Sequence, residues 1–369
     1  MLFKVMSDLD SINDYFQFLE QNRAAFLAAH GWGGAQCDSV GQDGSARRYF
    51  RLTRDNDSAI LMEALPDGHP HATWGHRLGD FIMIGNALAS KGFHTPALLA
   101  QDVQKGYLLL SDMGDVSFKK AVAQELLDET TAYRMATQTL IHLHDDMAGE
   151  ALPSVPYYYD SHVHKGMRRV VEWFLPAFMH QSFDESAVAE FISAWGEIER
   201  GLAPCPQGLL HIDFHFENLM FIEGGADARQ KTGLLDFQGA MMGPLAYDLV
   251  NLLEDARVSV PQQIQREMID LYCAVMSAEE KALFLAWYRI LGTQFHCRVM
   301  GQFVKLAYES GKMHYLAHIP RLQAYIASAL DDPLLLPLKA WFVRYDIDLS
   351  QDFAYDLNQI KAFVAKDAF

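Results

Sequence analysis

Two neighbouring segments decide the fold of this chain, Leu209-Leu-His-Ile-Asp-Phe-His-Phe-Glu-Asn-Leu-Met-Phe-Ile222 and Gly233-Leu-Leu-Asp-Phe-Gln-Gly239. Each contains a short apolar run, and a polar turn lies between them, which predicts a β-hairpin. Asn218 would begin one strand and Asp236 would end the other, so a hairpin of this length brings both side chains together. Asp213 lies on the loop that leads into the hairpin. The spacing therefore predicts three polar groups gathered at one end of a hairpin.

These polar groups suit the transfer of a phosphoryl group. The Asp213 carboxylate can accept the proton of an attacking hydroxyl, and one carboxylate suffices because positioning and charge stabilisation dominate this reaction. Asn218 and Asp236 offer the hard oxygen ligands that Mg²⁺ prefers. His211 completes the catalytic loop, where we expect it to brace the backbone by hydrogen bonding. The alternative is a polar loop between two core strands, with Asn and Asp as turn residues.

Working outward, the chain before this segment indicates a small sheet, and the chain around it is mostly helical. We expect an early helix at residues 11–30 and a hairpin at 47–64. A second helix at 74–91 and a second hairpin at 97–110 follow. From about residue 117 helical periodicity dominates, including a helical stretch near 161–180. This order predicts an α+β fold with an N-terminal sheet lobe over 1–113 and a larger helical lobe over 114–369.

Composition narrows the function. The 369 residues carry a formal charge of −17, from 30 basic and 47 acidic residues. Such an acidic surface argues against nucleic acid or an anionic membrane as a partner, and an anionic substrate would need a local cluster of Arg or Lys. The four cysteines form no CxxC pair, and the start MLFKVMSDLD is no secretory signal. We expect a cytoplasmic protein with reduced thiols and no membrane span.

Four further segments carry a resemblance to a known family: RRYFR at 47–51, YLLLSDMG at 107–114, LDFQGAMMGPLAYDL at 235–249 and GKMHYLAHIPR at 311–321. With them the chain resembles the aminoglycoside phosphotransferase/choline kinase superfamily, and within it the bacterial N-acetylmuramate/N-acetylglucosamine anomeric kinases. The resemblance implies a protein-kinase-like bilobal fold, ATP and Mg²⁺ as cofactors, and transfer of the γ-phosphate to a hydroxyl. In those relatives the acceptor is the anomeric hydroxyl of an amino sugar.

The resemblance also implies roles for residues outside the hairpin. The N-terminal lobe would bind nucleotide, and the C-terminal lobe would carry catalysis and the small-molecule acceptor. Leu110, Asp112 and Met113 fall where the lobes would join, so their backbone and apolar atoms are expected to bind adenine. The three tyrosines at 157–159 would lie near the sugar.

One departure from the family concerns the phosphates. Kinases usually place a Lys on the third strand to hold the α- and β-phosphates, whereas residues 37–90 contain no Lys. We expect Arg47 and Arg48, beside the loop that contains Gly44, to supply this positive charge. The alternative is that both arginines are ordinary exposed strand residues.

Other departures lie inside the two motifs. Ile212 and Glu217 stand where the family usually has arginines, and Gly239 stands where it usually has an acid. Glu217 adds negative charge beside the expected phosphates. This predicts a poorer fit for N-acetylmuramate, which carries a carboxylate, than for N-acetylglucosamine.

Two further functions stay open at this point. The acceptor could be an aminoglycoside, choline or another small alcohol, and an acidic surface suits a cationic acceptor. The missing Lys also allows a nucleotide-binding pseudokinase, although Asp213, Asn218 and Asp236 are all present. A metal site at His142, His144 and Asp146 is disfavoured, because side chains two residues apart on a helix face different directions.

Overall fold

The computed structural model describes residues 12–40, 47–150, 152, 154–354, 356, 360–361 and 363–364. Packing divides the chain into two compact units, Met1–His142 with His211–Ala240, and Leu143–Leu210 with Met241–Phe369. The first unit therefore contains the whole 211–239 segment as well as the N-terminal sheet. The lobe boundary expected at residue 113 stays a prediction.

The described strands are β1 Gln36–Ser39, β2 Arg47–Arg54, β3 Asp57–Ala64, β4 Leu98–Asp102, β5 Tyr107–Ser111, β6 Gln207–Leu210, β7 Leu219–Phe221, β8 Thr232–Leu234 and β9 Met241–Pro244. The described α-helices are α1 Ile12–Ala29, α2 Leu78–Ser90, α3 Phe118–Ala123, α4 Glu129–Asp146, α5 His162–Lys165, α6 Leu175–Met179, α7 Glu185–Arg200, α8 Ala228–Lys231, α9 Ala246–Leu253, α10 Gln262–Tyr272, α11 Ala278–Ser310, α12 Ile319–Ala329 and α13 Leu336–Arg344. None of these helices is both long and apolar enough to cross a membrane.

The first unit is built on a five-stranded antiparallel sheet in the order β1-β2-β3-β5-β4. Strands β2 and β3 pair up to Arg54 and Asp57, so a two-residue turn connects them. Asp55 begins that turn with a φ of 54°, in the left-handed region that such hairpins require. Both predicted hairpins of this sheet are confirmed.

The β4–β5 turn depends on Gly106. Its φ is 87°, and its carbonyl oxygen accepts a hydrogen bond from the Ala64 N–H on β3 at 2.9 Å. A Cβ at this position would collide with the Ala64 carbonyl oxygen. Glycine is therefore required here both for the backbone angle and for the close approach of β3.

Helix α1 covers one face of the sheet, where the core of this part of the unit lies. Phe26 stacks on Tyr107 with ring centroids 4.7 Å apart, and Leu19 is fully buried between the helix and the sheet. Burial of each such side chain contributes about 1.5–3 kcal/mol. The predicted amphipathic helix is thus confirmed, and its apolar face holds the sheet in place.

The second unit is mainly helical and contains one small β-ladder. Strands β6 and β9 pair antiparallel, and α11 runs for 33 residues. Ser277 and Glu280 form a capping box at the start of α11, and Gly311 ends it in the left-handed region with a φ of 66°.

The predicted helical stretch near 161–180 is interrupted. It consists of α5, a 3₁₀ turn at Gly166–Arg168, a π-helical turn at Val170–Phe174 and α6. Pro176 explains the wider turn, because proline has no N–H to donate to the carbonyl four residues before it.

Candidate active site

The β7–β8 hairpin sets the geometry of the site. Leu219 pairs with Leu234, and the Leu235 N–H donates to the Asn218 carbonyl oxygen at 2.9 Å. This register places Asn218 beside the residue that precedes Asp236. The hairpin expected from the sequence is therefore present, with the two polar positions at the same end.

Asn218 is held by the loop that precedes it. Its Nδ2 donates to the Asp213 carbonyl oxygen at 3.0 Å and lies 3.2 Å from His215 Nε2. Because the Asp213 carbonyl can only accept a hydrogen bond, the amide nitrogen must face the loop. The carboxamide oxygen then points away from the loop, as a metal ligand at this position requires. His215 contributes to this orientation, although the sequence analysis assigned it no role.

Asp236 adopts left-handed backbone angles, with a φ of 58°. Its Oδ1 accepts a hydrogen bond from Gln238 Nε2 at 2.5 Å. The next residue, Phe237, is buried against Phe81 of α2 with ring centroids 4.9 Å apart. Packing of Phe237 therefore fixes the backbone from which the half-exposed Asp236 carboxylate projects.

Arg47 lies beside Asp236. Its side chain is only 4% exposed, its Nη1 lies 4.0 Å from Asp236 Oδ1, and its Nη2 donates to the Gly75 carbonyl oxygen. A buried guanidinium keeps its positive charge, so Arg47 places a fixed cation beside the Asp236 carboxylate. The structure thus brings Arg47 into the same site as Asp236.

The loop that holds Arg47 was not recognised from the sequence. Gly75, with a φ of 76°, approaches Gly239 so closely that a Cβ would lie 3.2 Å from the Gly239 Cα. Trp74 Nε1 also donates to the Ala240 carbonyl oxygen at 3.2 Å. Burial, followed by the charge of Arg47, lowers the pKa of His76. Gly239, where the family usually has an acid, is thus the residue that this loop approaches.

Arg48 occupies a different environment. Its Nη2 lies 2.6 Å from Glu63 Oε2, and Arg23 of α1 binds the same carboxylate through Nε at 2.7 Å. Glu63 is completely buried. The structure therefore places Arg48 in a three-residue ion-pair cluster on the α1 face of the sheet, away from the residues that surround Asp236.

A pocket of about 610 Å³ opens beside these residues. It is lined by apolar side chains of the sheet and by polar residues of the hairpin, including Arg47, Tyr49, Ile60, Phe81, Leu110, Asp112, Met113, Glu217, Asn218, Asp236 and Gln238. An apolar cleft with a few convergent polar groups is the usual form of a ligand site. Leu110, Asp112 and Met113, predicted to bind adenine, all lie in its wall.

The Asp112 side chain is already engaged. Arg51 binds it through Nε at 2.7 Å and Nη2 at 3.0 Å, and the Gly114 N–H donates to it at 2.9 Å. Burial alone would raise the pKa of Asp112, but these hydrogen bonds outweigh burial and lower it. Any nucleotide contact of Asp112 would therefore come from its backbone.

Glu217 is balanced by a lysine. Lys119 Nζ lies 2.5 Å from Glu217 Oε1, and both side chains are largely exposed. Glu217 was expected to add an uncompensated negative charge beside the phosphates. Because Lys119 pairs with it, there is less reason to expect discrimination against an anionic acceptor.

The remaining loop residues take the following positions. His211 is buried and packs edge-on against Phe214, with ring centroids 5.5 Å apart. Ile212 has a φ of 79°, an unusual angle for a β-branched residue. Such strain costs on the order of 1–3 kcal/mol and persists where surrounding contacts impose it. Gly44 lies outside the described residues.

Two sequence candidates belong to the second unit. His144 is buried, and its Nδ1 lies 2.6 Å from the Tyr272 hydroxyl, so it takes part in core packing. Within the described ranges no group of three His, Cys, Asp or Glu side chains could hold a metal. Among the three tyrosines, Tyr157 is 65% exposed and Tyr158 is buried.

An antiparallel sheet followed by helices, with Asn218 and Asp236 at one end of a hairpin and Asp213 on the loop before it, is the arrangement of a kinase-type phosphotransferase. A sequence model of the phosphotransferase enzyme family (APH) matches residues 37–285, and the chain belongs to this family. The protein is an enzyme whose acceptor group is a hydroxyl, and the family implies ATP as the phosphate donor.

Curated relatives match over most of the chain. The N-acetylmuramate/N-acetylglucosamine kinase of Caulobacter vibrioides is 33% identical and covers 88% of this chain and 96% of its own length. The kinase of the same name from Pseudomonas aeruginosa is 28% identical, with 88% and 94% covered.

Solved structures agree on the fold. The choline kinase of Streptococcus pneumoniae superposes with a TM-score of 0.56 at 13% identity, covering 79% of this chain and 94% of that one. The predicted α+β, protein-kinase-like fold class is confirmed.

Proposed function

We propose that this enzyme transfers the γ-phosphate of ATP, with Mg²⁺, to the anomeric hydroxyl of an N-acetylated amino sugar of the N-acetylmuramate/N-acetylglucosamine type. The observation that carries the proposal is the 33% identity, over 88% of the chain, to the Caulobacter vibrioides kinase of that name. Identity over nearly the full length makes a shared acceptor more probable than a shared fold alone would.

We assign the proton transfer to Asp213. Its carboxylate accepts the proton of the attacking sugar hydroxyl, which leaves the oxygen free to form a bond to the γ-phosphorus as the bond to the ADP oxygen breaks. His215 and the Asp213 carbonyl orient the Asn218 side chain. Arg47 stabilises the negative charge that collects on the phosphates.

Asn218 and Asp236 are the residues that would hold Mg²⁺. A carboxamide oxygen facing away from the loop and a half-exposed carboxylate are hard oxygen donors, and Mg²⁺ normally takes few protein ligands and keeps phosphate oxygens and waters. Bound there, Mg²⁺ neutralises charge on the transferred phosphoryl group. The donor set therefore fits the ion.

The test is turnover with a panel of acceptors. ADP release is measured with N-acetylmuramate, N-acetylglucosamine, choline and an aminoglycoside, for the wild type and for Asp213→Asn. We expect the two amino sugars to be the preferred acceptors, and Asp213→Asn to lower kcat by roughly 10²- to 10⁴-fold. Asp331→Asn removes a carboxylate that pairs with Lys339 at 2.9 Å and serves as the matched control.

If the wild type preferred choline or an aminoglycoside, the proposed amino-sugar acceptor would be refuted. Full activity of Asp213→Asn would refute the mechanism. A cytoplasmic location, and the absence of nucleic-acid and membrane partners, remain predictions.

A further inference from the structure

Strand β3 lacks the cation that protein kinases place there. In those enzymes the last residue of a V-A-I-K segment on the third strand is a Lys, which binds the α- and β-phosphates and pairs with a Glu on the following helix. Here Ile60 lines the pocket, and Met62 takes the position two residues later on the same face of the sheet. Met62 is fully buried and carries no charge. A cation for the phosphates must therefore come from another strand.

The neighbouring strand β2 presents a cation on the same face. Tyr49 pairs with Met62, and Arg47 pairs with Ala64. Because directly paired residues point to the same side of a sheet, the side chains of Tyr49 and Arg47 lie on the pocket face, and both line the pocket. The guanidinium of Arg47 thus lies one strand away from the position at which other kinases have their Lys.

A buried carboxylate on helix α2 is connected to this arginine. Arg47 Nη2 donates to the Gly75 carbonyl oxygen, and the Gly75 N–H donates to Asp80 Oδ2 at 3.0 Å. Asp80 lies in the first turn of α2 and is only 5% exposed. Burial raises the pKa of Asp80, and the Gly75 N–H and the charges of Arg77 and Arg47 act against this rise. The two backbone groups of Gly75 therefore join the carboxylate to the guanidinium.

Helix α2 also packs against the segment that carries the metal-type carboxylate. Phe81 follows Asp80 and contacts Phe237, the residue after Asp236, with ring centroids 4.9 Å apart. A Cβ at Gly85, one turn later on the same face of the helix, would lie 3.2 Å from the Phe237 ring, so helix and ring are in close contact. The first turn of α2 therefore bears on the cation and on the carboxylate of the site alike.

The Arg47 guanidinium is held from two sides. The Tyr49 hydroxyl and the Gly75 carbonyl oxygen both accept hydrogen bonds from it, while Nη1 lies 4.0 Å from Asp236 Oδ1. A side chain that is fixed before its ligand arrives loses less conformational entropy on binding than an unrestrained one. The orientation of Arg47 toward Asp236 therefore depends on where Gly75 lies.

We propose that Asp80 is a positioning residue, which through Gly75 fixes the Arg47 guanidinium in the orientation that binds the phosphates of ATP. The relay Arg47–Gly75–Asp80 takes the place of the direct Lys–Glu ion pair of other kinases. This inference rests on the proposed function and adds to it a buried residue of α2 that acts on the nucleotide through another side chain. Without Asp80, the loop that contains Gly75 loses its anchor on α2, and the guanidinium loses its fixed direction.

The experiment is a double-mutant cycle between Asp80 and Arg47. Binding of ATP with Mg²⁺ is measured by calorimetry, and KM and kcat are measured by ADP release with N-acetylglucosamine as acceptor. The variants are Asp80→Ala, Arg47→Met, the two combined and the conservative Asp80→Asn, all at a temperature at which thermal unfolding shows them to be folded. Asp67→Ala is the matched control, because this exposed carboxylate accepts the Leu78 N–H at 2.7 Å at the start of the same helix but lies outside the relay.

We expect Asp80→Ala to weaken ATP binding and to raise the KM for ATP by about tenfold, as is usual when a group that orients a ligand-binding side chain is removed. The KM for the sugar should stay as in the wild type. The double variant should bind ATP no worse than Arg47→Met alone, because the carboxylate acts through the arginine. Asp80→Asn should lose less than Asp80→Ala, since its carboxamide oxygen still accepts the Gly75 N–H. Asp67→Ala should lower Tm and leave ATP binding unchanged.

Losses that add up in the double variant would show that Asp80 acts independently of Arg47 and would overturn the inference. Unchanged ATP binding in Asp80→Ala, an equal loss in Asp80→Asn or an equal loss in Asp67→Ala would overturn it as well. The proposed function fails by a different result, namely if the wild type releases no ADP with either amino sugar. In that event the calorimetric cycle with ATP still decides whether Asp80 acts through Arg47.

Discussion

Arg47 and Arg48 are adjacent in sequence, yet the structure leads to opposite expectations for their removal. Arg47 lies 4.0 Å from Asp236, so under the proposed function a phosphate bound beside that carboxylate would lie within reach of the Arg47 guanidinium. Losing a hydrogen bond to a charged group costs about 1.5–3 kcal/mol. Arg47→Met should therefore lower kcat/KM for ATP by roughly tenfold to a hundredfold.

Arg48→Met should instead lower stability. Glu63 is completely buried and would keep its two contacts with Arg23, at 2.7 and 3.1 Å, but would lose Arg48 at 2.6 Å. Partial loss of partners around a buried carboxylate costs about 1.5–3 kcal/mol, which lowers Tm by about 2–4 °C in a chain of this size. We expect kcat/KM for ATP to change less than about threefold, well below the effect of losing a charged hydrogen bond.

Both variants are assayed side by side. ATP saturation curves are measured by ADP release at a temperature at which each variant is folded, and thermal unfolding is measured separately. Arg47→Met also removes the donor to the Gly75 carbonyl oxygen, so some loss of Tm accompanies its kinetic defect. The reasoning is refuted if Arg48→Met impairs ATP use as much as Arg47→Met, or if Arg47→Met changes Tm alone.

Two further predictions concern stability. Gly106→Ala should destabilise the protein by about 2 kcal/mol or more in urea unfolding, because backbone strain and a clash with the Ala64 carbonyl oxygen add. Gly92→Ala is the control: its φ is 83° but the space around it is open, so it should cost only about 1 kcal/mol. Equal losses of stability in the two variants would contradict the clash. Burial raises the pKa of Glu254 to about 7, so the folded state holds a proton that the unfolded state releases above about pH 4.5. The stability of the wild type relative to Glu254→Gln should therefore fall by up to about 3 kcal/mol as pH rises from about 4.5 to 7. If Tm of the wild type and of Glu254→Gln changed with pH in parallel, the raised pKa of Glu254 would be excluded.

Much of the site could be predicted because its information is local. Asn218 and Asp236 flank strands of one short hairpin, so two apolar runs joined by a polar turn suffice to place them at the same end. The same holds for the β2–β3 turn, where Asp55 supplies left-handed backbone. Local chemistry of this kind does not depend on what packs against it.

Partners distant in sequence could not be predicted in this way. Lys119 and Glu217 are 98 residues apart, and the charge of Glu217 alone suggested a conclusion that the ion pair weakens. Gly75 and Gly239 approach each other from separate segments, so that a Cβ at Gly75 would lie 3.2 Å from the Gly239 Cα. Only packing of the loop onto the hairpin decides such contacts.

By itself, the sequence determined the α+β class, the hairpin that carries Asn218 and Asp236 with Asp213 on the loop before it, and the family to which these motifs belong, because each depends on spacing along the chain. Tertiary structure alone decided between Arg47 and Arg48. Strand alternation turns neighbouring side chains to opposite faces of β2, so one arginine meets Asp236 and the other meets the buried Glu63.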